Sequence, residues 1–118
     1  MLRIEVSPQD IVASRFAISP LVETLHALWA LAGKQEAGAT RDWVRRSREA
    51  YTRLYESDPA LRALVALHTP RHYHADFIAP PPTGVNVTFD DEIAAMRATP
   101  AEQAHAEIAR SLQEREPL

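Results

Sequence analysis

The sequence has no cysteine, only three glycines, a single lysine and no long apolar run. Without cysteine there are no disulfides, no thiolate metal sites and no cysteine nucleophile. Three scattered glycines build no phosphate-cradling loop, and none of the serines sits in a glycine-flanked elbow. The most apolar stretch, Leu21 to Ala32, is broken by Glu23, Thr24 and His26 and is too short to span a bilayer. Met1 to Val6 lacks a basic head followed by an apolar run, so the sequence is expected to act in the cytoplasm. Among the basic residues Lys34 alone is lysine, a bias that follows GC-rich coding and has little functional weight.

What is present describes an ordinary soluble domain. The 118 residues are 46% hydrophobic and 25% charged, with a formal charge of -3, values that exclude disordered and low-complexity classes. The length fits one domain over 1–118, with a core that needs no staples. Slight acidity argues against free-standing nucleic-acid binding, which normally shows a basic surface.

The pattern predicts a mainly α fold of about five to six short-to-medium helices. A minor β element is expected from a strand at 2–6, where Leu2, Ile4 and Val6 alternate with Arg3 and Glu5. Residues 15–18 or 85–89 are candidates to join it. Ser7-Pro8, Ser19-Pro20 and Asp58-Pro59 read as capped helix starts with proline where its missing N–H costs nothing, and Thr99-Pro100-Ala101-Glu102 reads as a capping box. Leu21, Leu25, Leu28 and Ala32 form one helical stripe, ended by Gly33. From Thr40 a second stripe runs through Trp43, Val44, Ser47, Ala50, Tyr51, Leu54 and Tyr55, wide enough to predict core for all three aromatics. A last helix presents Ala101, Ala104, Ile108 and Leu112. Residues 68–88, with their Pro80-Pro81-Pro82 run, form an irregular loop, and 113–118 a frayed tail.

Three groups of residues bear on chemistry. His68, His72, His74 and Asp76 fall within nine positions, and imidazoles with a carboxylate suit zinc. Their spacing matches no structural zinc pattern, so solvated loop histidines are the preferred reading and no metal or other cofactor is expected. A small metal-binding sensor or hydrolase using His72, His74 and Asp76 is the alternative. Arg41, Arg45 and Arg48 share a helical face and would suit an acidic partner of a stand-alone interaction module. Against that, Asp42–Arg46 and Glu49–Arg53 are acid-first i, i+4 pairs of a solvated surface. No nucleophile–base–orienter set is visible, so an enzyme is not expected. The loop aromatics Tyr73 and Phe77 bury only if the loop folds back on the helices.

Three blocks carry a resemblance. They are Arg15-Phe16-Ala17-Ile18-Ser19-Pro20-Leu21-Val22-Glu23-Thr24, then Tyr73-His74-Ala75-Asp76-Phe77-Ile78-Ala79-Pro80-Pro81-Pro82, then Asp91-Glu92-Ile93-Ala94-Ala95-Met96-Arg97-Ala98-Thr99-Pro100. In order and spacing they resemble the N-terminal region of long ArsR-type transcriptional regulators of GC-rich bacteria. His74 and Ala75 stand where that family usually has an apolar residue and proline.

The resemblance implies a regulatory domain whose DNA-reading winged helix-turn-helix lies elsewhere, downstream of this region. The expected partners are that winged-helix domain, a second protomer or a small effector, with no membrane and no direct nucleic acid. Within that reading Arg71, Tyr73, Asp76 and Phe77 are expected to fasten the loop, Phe77 by burial and Asp76 by capping N–H groups or pairing with an arginine.

Overall fold

The structure, a computed structural model, describes residues 1–34, 38–68 and 73–114. It is mainly helical, with six α-helices among the described residues: α1 (Pro8–Ala13), α2 (Pro20–Leu31), α3 (Arg41–Ser57), α4 (Pro59–Leu67), α5 (Phe89–Arg97) and α6 (Ala101–Gln113). Single 3₁₀ turns occupy Gly38–Thr40 and Asp76–Ile78.

Local chemistry sets most of the helix starts. Ser7 and Asp10 form a reciprocal capping box around Pro8. Ser19 Oγ accepts the Val22 N–H at 3.1 Å, and Asp58 accepts from Ala60 and Leu61. Gly33, at φ 71°, takes the left-handed conformation that ends α2.

One start differs from the sequence pattern. A second capping box belongs to Thr88 and Asp91 at the head of α5, whereas α6 begins after Pro100 without a side-chain cap. Thr99 lies one residue too early to serve.

No strand is present among the described residues. Residues 2–6 alternate as a strand should, yet no other backbone lies beside them to complete a ladder, and their side chains stay exposed. At 15–18 the Arg15 guanidinium instead folds back on the carbonyls of Val12 and Ser14, at 3.0 and 2.8 Å. At 85–89 the Thr88 cap turns Phe89 into the first helical residue.

Helix α2 is the spine. Its N-terminal half packs with α5 and the loop, where Leu25, Ala75 and Ile78 are buried together under Leu64, Phe77 and Ala79. Its C-terminal half meets α3 through Ala30, Leu31 and Val44, with Tyr51 alongside. The wide stripe expected on α3 is therefore covered along one line only. Trp43 is 40% exposed, Leu54 58% and Tyr55 36%, because α3 touches α2 and α4 and leaves its remaining faces in water.

On α6 the buried face is likewise turned from the expected stripe: Ser111 is 1% exposed and Leu112 53%. Gln113, expected to fray, still belongs to α6. No helix among the described residues is long and apolar enough to cross a membrane.

Candidate interaction site

The loop after α4 is held by its backbone. The N–H of Tyr73 donates to Glu114 at 3.2 Å, and the carbonyl of Tyr73 accepts from Ser111 Oγ at 3.0 Å. The N–H of Phe77 donates to Glu107 at 2.8 Å. Glu107, Arg110, Ser111 and Glu114 repeat at i, i+3, i+4 and i+7, so one face of α6 supplies the whole clamp. Arg110 completes it by lying 4.0 Å above the Tyr73 ring centroid, while its Nε–H donates to Glu114 at 3.2 Å.

Electrostatics follow from these contacts. Glu107 is held below its ordinary value first by the Gln103 amide, which donates at 2.8 Å, and then by the Phe77 N–H; partial burial opposes both. The Tyr73 phenol is pushed up by partial burial and then by the nearby Asp76 and Glu107 charges.

The clamp places two of the four loop residues singled out by sequence. Tyr73 lies half-buried against α6, and Phe77 is half-buried beside Leu25, Ala75 and Ile78. Asp76 is exposed, and the carboxylate that receives the loop N–H is Glu107, on a different element. Arg71 and His72 lie outside the described residues.

Next to the clamp stands an aromatic stack. Trp29 stacks with both His26 and His68, with ring centroids 5.1 and 4.5 Å away, and its Nε1–H donates to the His68 carbonyl at 2.6 Å. His74 meets both Trp29 and His68 edge-on, at 5.9 and 4.7 Å. The stack joins α2, the end of α4 and the loop. Among the described residues no three His, Cys, Asp or Glu side chains converge to hold a metal ion, and Asp76 is exposed.

Arg41, Arg45 and Arg48 are exposed on α3, which supplies none of the hydrogen bonds of the loop clamp. Arg45 pairs with Asp42 at 3.3 Å, in place of the Asp42–Arg46 pair expected from spacing, and Arg53 pairs with Glu49. These are exposed pairs of small energetic weight.

One residue of consequence was hidden in the sequence. Glu92 is 3% exposed, and its carboxylate accepts the hydroxyl of Ser19 and the N–H of Leu21, the latter at 2.7 Å. Read along the chain it is one of three acids at a helix start, where the dipole alone accounts for it. The available signal was the neighbouring Thr88–Asp91 box: with Asp91 engaged in capping, Glu92 projects from a different side of the helix.

Fold and contacts together define a small helical domain whose irregular loop is fastened to three helices. Comparisons with protein-family models, with curated proteins and with solved structures find no match to this chain.

Proposed function

We propose that the chain is a regulatory interaction domain of the ArsR-type transcriptional regulators, working by contact with a partner domain, a second protomer or a small effector and leaving DNA to another domain. The observation that carries this reading is the convergence of the three resembling blocks. The first and third are joined through Glu92, which accepts from Ser19 and Leu21. The second meets α2 through Ala75 and Ile78 packed on Leu25, one residue beyond the first block. Pro80, Pro81 and Pro82 line one small depression with Asp91, Glu92 and Ala95 of the third. Residues distant in sequence that carry one likeness thus share one set of contacts, as expected when the likeness reflects a common packing unit.

Net acidity and the engagement of Arg62 support leaving DNA to another domain. At the α3–α4 junction, where Asp58 alone separates two helices, Arg62 is the one basic residue of α4. Its guanidinium caps the end of α3, donating to the carbonyls of Tyr55 and Glu56 at 2.8 Å each. No arginine or lysine of α4 is left to read base edges.

Fluorescence anisotropy of labelled duplex DNA, titrated with the chain at several salt concentrations, tests the reading. The expected result is no saturable binding at physiological salt. Tight binding that weakens steeply with added salt would overturn it, because that dependence reports phosphate neutralisation.

A further inference from the structure

Residues 1–18 contribute little to the packed body. Leu2, Ile4 and Val6 are 85%, 75% and 64% exposed, and no residue of α1 is buried. The cost is visible in the whole molecule. The chain exposes 9186 Å², against roughly 6,400 Å² expected for a monomer of this mass. Its radius of gyration is 16.6 Å, against roughly 13.5 Å for a compact domain of this length.

The arm also carries a self-complementary pattern. Arg3 and Glu5 meet at 2.9 Å, so they share one side of the chain, as residues i and i+2 do in an extended segment. Leu2, Ile4 and Val6 then share the other. Among the described residues no backbone hydrogen bond ties 1–6 to the body. Two such arms related by a two-fold axis through Ile4 pair antiparallel with Ile4 opposite Ile4, Leu2 opposite Val6, and Arg3 opposite Glu5 in both directions. One face of the ribbon is wholly apolar, and the other carries two matched charge pairs.

No neighbouring register does both. Centring the axis on Arg3 or on Glu5 sets like charges opposite each other, a parallel in-register pairing does the same, and a one-residue slip places charges opposite apolar groups. From these features we infer that residues 1–6 form an intermolecular β-ribbon with a second copy of this chain. Isolated two-stranded ribbons are marginal in water. Here Ile11, Val12 and Phe16, 66%, 78% and 92% exposed and next in sequence, cover the apolar face from both copies. The inference stands apart from the family reading, since it uses only the arm.

Sedimentation velocity of the full chain across a concentration series reads the assembly directly. The expected product is a dimer of twice 13.2 kDa. Arg3→Glu and Glu5→Arg alone should each weaken it about tenfold at low salt, since each reversal sets two like-charge pairs across the ribbon. The Arg3→Glu/Glu5→Arg double variant, and an equimolar mixture of the two single variants, should restore it.

Because the chain has no cysteine, the register can be read as well. Ile4→Cys should oxidise to a disulfide-linked dimer. Leu2→Cys should do so only when mixed with Val6→Cys. A wild-type chain that stays monomeric at every concentration, charge reversals without effect, or cross-linking indifferent to position would each overturn the inference. None of these outcomes bears on DNA binding, so its failure and that of the family reading are separable.

Discussion

Glu92 on α5 accepts the N–H of Leu21 at the start of α2 across 2.7 Å, although 71 positions separate the two residues. The contact completes the hydrogen-bond accounting of the N–H groups of the first three helical residues. Pro20 has no N–H, Ser19 Oγ accepts from Val22, and the Ser19 carbonyl accepts from Glu23. Leu21 is the remaining donor, and a buried carboxylate at the positive end of a helix dipole is well suited to it.

Glu92→Ala should therefore destabilise the fold by about 2–3 kcal/mol, since it removes two charge-assisted hydrogen bonds and strands a buried donor. Glu92→Gln, which keeps one acceptor oxygen, should cost roughly half as much. Urea unfolding of the variants measures both. A loss below about 0.5 kcal/mol for the alanine variant would mean that water replaces the carboxylate without penalty.

Acid should release the loop before it unfolds the chain. Glu107 lies below its ordinary value of 4.5 because Gln103 and the Phe77 N–H donate to its charged form. A carboxylate whose folded value is depressed contributes stability that is fully present above the unfolded value and is lost as pH falls through the folded one. Amide exchange of Phe77, followed by NMR, should thus accelerate as pH drops below 4.5, after allowing for the intrinsic pH dependence of exchange. Glu107→Gln should leave that protection flat through the same range. Asp10 and Asp91, lowered by their Ser7 and Thr88 capping partners, act with the same sign at their own helix ends, so a local probe is needed to isolate Glu107.

The same contacts show what a sequence can and cannot disclose. Ser7, Ser19 and Asp58 were legible as caps because capping is settled within four residues. The stripe on α2 was legible because Leu21 and Leu25 are buried where its period puts them. Periodicity names the apolar side of a helix without saying how much of it a neighbour covers, which is why Trp43 and Tyr55 read as core. Alternation at 2–6 marks a segment fit for a ladder, but a ladder needs a second strand. Glu92 and the α6 clamp were invisible for another reason. Each joins positions tens of residues apart, and nothing local distinguishes Glu107 or Ser111 from other polar residues on a helix.

Ser111 offers a sharp test of the clamp. It is 1% exposed and its hydroxyl donates to the Tyr73 carbonyl. Ser111→Ala should cost about 1 kcal/mol through that hydrogen bond alone. Ser111→Leu, which loses the same hydrogen bond and forces added volume beneath the loop, should cost about 1–3 kcal/mol more than the alanine variant and expose Tyr73. Equal unfolding midpoints for the two variants would show that the loop is not packed against α6 at this position.

The two tryptophans should behave oppositely. Trp29 is half-buried, stacks with both His26 and His68 and donates to the His68 carbonyl, whereas Trp43 is 40% exposed on α3. Trp29→Phe keeps a ring in the stack but removes the donor and part of the contact area, so it should destabilise the fold by about 1 kcal/mol or more. Trp43→Phe keeps a ring at a more exposed position and should stay within about 0.5 kcal/mol of the parent. Each variant also leaves a single emitter. Acrylamide should quench Trp43 in the Trp29→Phe chain more strongly than Trp29 in the Trp43→Phe chain, because Trp29 is half-buried and stacked with imidazoles while Trp43 is exposed. Equal quenching would mean that α2, the end of α4 and the loop do not close around Trp29 in solution.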